Sequence, residues 1–207
     1  MVDGASVKRF VFKELKQGDL KKFVAASATS GNGGGARDQR FSPYREFDVV
    51  FAAMFPEHEP VTRKMRDGSV RESTLYSAPV AVHIADTGIE STDKRVVQHG
   101  TEKLVVQTLK YWPPTARRPN EGRLGQVSKL QLNPPTKEGR VFLLLFDDST
   151  PISPRLAFVT ESAVQTFKWE KSINDFFSGV LATPERDGTV MGYGDLVNNT
   201  SYIKPVR

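Results

Sequence analysis

The run at residues 140–146, RVFLLLF, constrains the fold more than any other stretch of this chain. From Val141 to Phe146 every position is apolar, so neither a strand period nor a helix period leaves a side for water. It reads as a fully buried strand. The run is far too short to span a bilayer, as is the other long apolar stretch, residues 49–55. Such a strand needs neighbours, and the chain supplies them. Residues 6–15 (SVKRFVFKEL) alternate apolar and charged side chains around Phe10 and Phe12. Residues 79–85 (PVAVHIA) and 155–159 read as further strands, and residues 95–108 as one strand or as two broken at His99-Gly100. Within residues 61–76, Asp67-Gly68 is expected as a two-residue turn between alternating arms.

Helical signals are fewer. Ser42 is a good N-cap and Pro43 suits the first helical position. Phe47, Val50, Phe51 and Met54 then share one face, so residues 44–55 are expected as a core helix ending before Pro56. Thr160 is a second candidate cap, and Ile173, Phe176, Phe177, Val180 and Leu181 recur at helical spacing, so residues 160–181 are expected to be helical. Phe167 and Trp169 belong with that core. Gln17-Gly18-Asp19 is turn chemistry, with a strand or short helix expected at residues 20–26. Residues 187–207 contain Gly188, Gly192, Gly194 and Pro205 around one weak strand at Tyr202-Ile203. The sum is a mainly β, α+β fold with two helices, most simply a small barrel whose openings the helices close. Residues 1–182 form the domain, and residues 183–207 an extension that completes the barrel or leads to a linker.

The chain of 207 residues has no cysteine, which excludes a disulfide scaffold and thiolate metal sites. Its first ten residues carry Asp3, Lys8 and Arg9 and no apolar run of signal-peptide length, so a cytoplasmic protein without a membrane partner is expected. A net charge of +5 favours a polyanionic partner, and the distribution of that charge matters more than the total.

Two stretches concentrate the polar chemistry. Residues 107–129 (QTLKYWPPTARRPNEGRLGQVSK) place Lys110, Arg117, Arg118, Arg123 and Lys129 against Glu121 as the sole acid. Tyr111 and Trp112 stand at the base, and Asn120 and Gln126 lie among the arginines. Pro113, Pro114 and Pro119 stiffen the stretch, while Gly122 and Gly125 free it, so it reads as a long loop. Arg pairs bidentately with guanine, Asn or Gln with adenine, and Glu accepts from cytosine, so these residue types suit the reading of DNA. The second stretch, residues 26–43, holds the run Gly31-Asn32-Gly33-Gly34-Gly35 and then Arg37, Asp38, Gln39 and Arg40. It is not a phosphate loop, because Ala36-Arg37 follows the glycines where Lys-Ser/Thr is required. Nor does it have the helix and acidic-residue spacing of a dinucleotide fingerprint.

Four stretches together resemble one family. They are TSGNGGGARDQRFSP leading into the helix that ends Met54-Phe55-Pro56, KLVVQTLKYWPPTARRPNEGR, GRVFLLLF, and MGYGDLVNNTSYIKP. In order and spacing they are similar to the N-terminal, effector-DNA-binding domain of the EcoRII-type restriction endonucleases. The resemblance implies a DNA-binding pseudobarrel that grips the major groove of double-stranded DNA with two arms. Carried over, the arms are residues 33–41 and 110–126. Arg37, Asp38, Gln39 and Arg40 then lie at the DNA on one side. Lys110, Trp112, Arg117, Arg118, Asn120, Glu121, Arg123 and Gln126 do so on the other. Arg118 and Arg123 are the first candidates for guanine, with Glu121 accepting from a cytosine amino group, orienting an arginine, or simply pairing with one. Lys110 and Lys129 neutralise phosphates. The resemblance further implies a monomer as an isolated domain, no cofactor for binding, and Mg²⁺ only where a nuclease domain is joined.

Two other classes compete. A Mg²⁺-dependent nuclease needs clustered carboxylates and a lysine; Glu14-Leu15-Lys16 with Asp3, or Asp147-Asp148, are the nearest approaches. His58, His83 and His99 have neither zinc-ligand spacing nor a serine partner. Alternatively, the basic loop docks an acidic protein.

Overall fold

The computed structural model describes residues 7–23, 39–41, 44–55, 57–64, 67–84, 95–109, 121–124, 134–135, 139–147, 154–166, 169–183 and 189–204. Along them run β1 (Arg9–Glu14), α1 (Gln17–Leu20) with a 3-10 turn at Lys21–Phe23, β2 (Gln39–Phe41), α2 (Tyr44–Met54), β3 (Glu57–Lys64), β4 (Val70–Ile84) and β5 (Arg95–Leu109). There follow β6 (Glu121–Leu124), β7 (Val141–Asp147), β8 (Arg155–Thr160), α3 (Glu161–Gln165), α4 (Lys171–Ala182), β9 (Met191–Asp195) and β10 (Thr200–Ile203). The strands join one sheet in the order β10-β9-β1-β7-β8-β4-β5-β6-β2, and β3 pairs with β4. Every pairing is antiparallel except that of β4 with β8, which is parallel at Ala81 and Val82. The protein is therefore mainly β with few helices, and among the described residues the sheet is not closed on itself by strand pairing.

The centre of the sheet explains the apolar run. On β1, β7 and β8, Val11, Leu143, Leu145, Leu156 and Phe158 belong to one core, while Phe10, Phe12, Phe142, Leu144, Phe146 and Val159 belong to a second on the opposite face. α2 supplies Phe47, Val50, Phe51 and Met54 to the first core, and α4 supplies Ile173, Phe177 and Val180 to the second. With a layer on each face, β7 has no solvent side, and all of its residues are buried. At roughly 1.5–3 kcal/mol for each fully buried large side chain, this two-sided burial is the main source of cohesion.

α2 also spans the opening between the two ends of the sheet. The Phe47 ring lies 6.2 Å from Tyr193 of β9 and 6.1 Å from Tyr202 of β10, and 5.6 Å from Phe41 of β2. One helix thus packs against strands at both ends of the strand order, and the last strands curl towards each other around it.

Several expectations change. Residues 160–181 form two helices: Thr160 does cap α3, its Oγ1 accepting from Ala163 N at 3.1 Å, but α3 ends at Gln165. Trp169 then turns into the second core, edge-on to Phe146 at 6.3 Å, before α4 begins. Helix begins at Gln17, where a turn was expected, and Lys21–Phe23 follow as a 3-10 turn, in line with the short-helix alternative rather than the strand. Five residues, 65–69, and not two, link β3 to β4; Gly68 takes a positive φ of 81°, and Asp67 Oδ1 accepts from Ser69 N at 3.0 Å. β4 and β5 form one long hairpin whose register shifts after Pro79, where partner Lys103 gives way to Gln98, across the His99-Gly100 position. Near the C-terminus there are two strands, and β9 pairs with β1. Its glycines are there because the neighbours come close: a Cβ on Gly192 would lie 2.0 Å from the Tyr202 carbonyl, and one on Gly194 would lie 2.4 Å from the Phe10 ring. Ser42, Pro43 and Phe167 lie outside the described residues.

Candidate nucleic-acid interface

β2 has three residues, and their alternation decides what each does. Gln39 and Phe41 are fully buried and Arg40 is exposed. Phe41 packs on Phe47 and Phe51 of α2, with ring centroids 5.6 and 5.8 Å away. Leu124 of β6 enters the same core. Gln39 reaches a polar cluster inside that core: its Oε1 accepts from Lys13 Nζ at 3.0 Å, and its Nε2 donates to the Asp19 carbonyl at 3.3 Å. Lys13 Nζ also stands 3.4 Å from Asp19 Oδ2.

β6 is the bridge. It pairs with β5 on one side and with β2 on the other. Arg123 is the register partner of Gln107 in β5 and of Arg40 in β2. Residues 110–120 join Leu109 to Glu121, which face each other in the ladder, whereas residues 24–38 arrive at Gln39, which faces Leu124. The two basic stretches therefore meet the sheet at opposite ends of β6, about 10 Å apart at an ordinary strand rise. Both attachment points lie in the β5-β6-β2 part of the sheet.

This arrangement corrects the expected site in two respects. Gln39 was placed at the DNA, but its side chain is buried and holds the interior cluster, so it is not offered to a groove. Glu121 and Arg123 were placed in a loop, and they stand in strand β6 instead. Arg40 is exposed beside them. Arg37, Asp38, Lys110, Trp112, Arg117, Arg118, Asn120, Gln126 and Lys129 lie outside the described residues. Lys13 and Asp19 were missed. The signal for Lys13 was present: it stands between Val11 and Leu15 in a strand whose other face carries Phe10 and Phe12, so both faces of β1 are apolar.

No protein-family model, curated protein or solved structure matches this chain. The assignment of a site therefore rests on the geometry of this protein.

That geometry gives the carboxylates considered for a nuclease other work. Glu14 is buried and receives Arg140 at both oxygens, Nε at 3.3 Å and Nη2 at 3.4 Å, with Lys16 Nζ at 3.2 Å. Arg140 Nη1 donates to the carbonyls of Val180 and Thr183 at the end of α4. The pair thus bolts β1 to the C-terminus of that helix, where a cation is favoured. Asp147 is buried and accepts from Arg9 N at 2.9 Å, with Arg9 Nη1 3.5 Å away. Burial pushes the Asp147 carboxyl above its ordinary value, against the opposing pull of Arg9. Arg9 Nε also pairs with Asp195 Oδ2 at 3.3 Å. Asp195 in turn accepts from the backbone N–H groups of Val197 and Asn198, which fixes the β9–β10 turn. Asp3 and Asp148 lie outside the described residues.

Proposed function

We propose that this chain binds double-stranded DNA in a sequence-specific manner, in the way of the effector domain of an EcoRII-type restriction endonuclease and on a related pseudobarrel. The observation that carries this reading is the β2–β6 pairing, which attaches the ends of both basic stretches to one strand, about 10 Å apart, with Arg40 across from Arg123. That pairing is backed by Phe41 and Leu124 in the core, so side chains projecting from it are held by a rigid scaffold.

In this reading Arg37, Asp38 and Arg40 act from the first stretch. Lys110, Trp112, Arg117, Arg118, Asn120, Glu121, Arg123 and Gln126 act from the second. Phosphate contacts by Lys110 and Lys129 supply affinity and register, and base-edge contacts by Arg118 and Arg123 supply specificity. Each bidentate arginine contributes roughly 1–3 kcal/mol of discrimination. Binding of this kind needs no cofactor, and Mg²⁺ would serve only a joined nuclease domain.

The test is selection from a random duplex library, followed by Arg118→Ala and Arg123→Ala on the selected site. Loss of base preference at separate positions is expected. Retention of the wild-type preference by both variants would refute the assignment of the second arm, and failure to enrich any duplex would refute the reading as a whole.

A further inference from the structure

We infer that Lys13 is a positioning residue for the recognition edge: through Gln39 it sets the register of β2 and so the side to which Arg40 is presented. The inference rests on the DNA-binding reading for its purpose, but its mechanical part is independent of DNA. Among the described residues β2 has three residues and pairs with β6 as the last strand in the order. A strand so short, hydrogen-bonded along one side, is poorly fixed by its ladder. Register matters here, because a slip of one residue exchanges the faces and would turn Arg40 inward.

Lys13 lies in β1, six places away in the strand order, opposite Leu143 of β7 and Met191 of β9. It is 6 % exposed, so its ammonium needs partners inside the core. It has them in Gln39 Oε1 at 3.0 Å and Asp19 Oδ2 at 3.4 Å. The other end of the Gln39 amide donates to the Asp19 carbonyl. Both ends of that amide are thereby pinned, one by a charge-assisted bond. A side chain held at both ends cannot leave the interior while β2 slides. The link crosses the inside of the curled sheet from its centre to its last strand. Phe41 holds β2 to α2 by shape, which tolerates small shifts; the Lys13–Gln39–Asp19 cluster adds the directional constraint.

The experiment compares Lys13→Met and Gln39→Leu with wild type in the full chain. Backbone hydrogen exchange is followed at Gln39–Phe41 and at the core strand Val141–Asp147. Affinity for the selected duplex and for a scrambled one is measured across a salt series in parallel. Gln39→Leu is the second variant because it leaves Lys13 paired with Asp19 and so keeps a folded protein should Lys13→Met not fold. Exchange at Gln39–Phe41 is expected to rise roughly tenfold or more, with β7 unchanged. Duplex affinity is expected to fall without sequence bias, and the slope of log affinity against log salt to drop by up to about one, as for loss of Arg40 itself.

Unchanged exchange at Gln39–Phe41, or an equal rise at β7, would overturn the inference, the latter because Lys13 would then be a general stabilising residue. Faster local exchange with the wild-type affinity and salt slope would overturn its role at the DNA-binding edge. If wild type itself shows no discrimination, the proposed function fails, and the exchange comparison still decides whether Lys13 positions β2.

Discussion

Arg40 stands across the β2–β6 ladder from Arg123, and Arg123 in turn faces Gln107 of β5. Facing residues of an antiparallel ladder have Cα atoms about 5 Å apart. Two like charges in such a pair oppose strand pairing by roughly 0.2–1 kcal/mol. On the proposed DNA-binding reading, a phosphate laid along this edge takes Arg40 as a contact.

Arg40→Ala is accordingly expected to weaken duplex binding without sequence bias and to lower the slope of log affinity against log salt by about one. Folding stability should change by no more than about 0.5 kcal/mol, because Arg40 is exposed. Fluorescence anisotropy across a salt series, with a urea titration beside it, checks both. An unchanged salt slope would remove Arg40 from the interface.

Arg140→Ala should be among the most damaging substitutions. It strips Glu14 of a two-point partner and takes a guanidinium donor from the Val180 and Thr183 carbonyls at the end of α4, of which Val180 keeps the Thr183 N–H and Oγ1. Breaking one side of a buried ion pair costs about 3–5 kcal/mol. The lower half of that range is expected here, because Lys16 remains beside Glu14. Equilibrium urea unfolding measures it.

The glycines divide sharply. Gly192→Ala meets the Tyr202 backbone carbonyl, which cannot move unless β10 separates from β9, so a loss of about 1–3 kcal/mol or more is expected. At Gly179 in α4 a Cβ meets nothing within 4 Å, and Gly179→Ala should stabilise by about 0.5–1 kcal/mol through helix propensity. Thermal melts of the two variants should move in opposite directions.

The two carboxylates around Arg9 have opposite linkage to pH. Burial pushes Asp195 up, but the Asn198 backbone and side-chain N–H groups and Arg9 outweigh it, so its pKa lies below 3.8. Its contribution to stability is present above 3.8 and is lost as pH falls through the lowered value. Asp147 is raised by burial, so the folded state binds the extra proton. Its ionisation removes stability as pH rises from 3.8 through the raised value. Urea midpoints from about pH 2 to about pH 7 should show Asp195→Asn flattening the acid-side loss and Asp147→Asn removing the opposing decline.

Legibility followed local physics. The buried strand at β7, the apolar face of α2 and the Thr160 cap each depend on neighbours a few residues away, and each was readable from pattern. β9 was not, because Gly192 and Gly194 carry no periodic signal. Their meaning lies in Phe10, Phe12 and Tyr202, which are distant in sequence. β6 was hidden for a related reason: its four residues sit in a proline- and glycine-rich stretch and become a strand by pairing with β5 and β2. In the site, the residue types were legible and their roles were not. Gln39 and Arg40 are adjacent polar residues in the sequence, and strand alternation sends one into the core and leaves the other outside.

By itself the sequence determined a mainly β protein with covering helices and two polar, basic stretches, since composition and periodicity act over short distances. Tertiary structure alone decided that the ends of those stretches attach to one strand, that Gln39 is buried while Arg40 is exposed, and that one helix packs against both ends of the strand order. These depend on which distant strands pair and in what register, and the energies that choose a register come from side chains far apart along the chain.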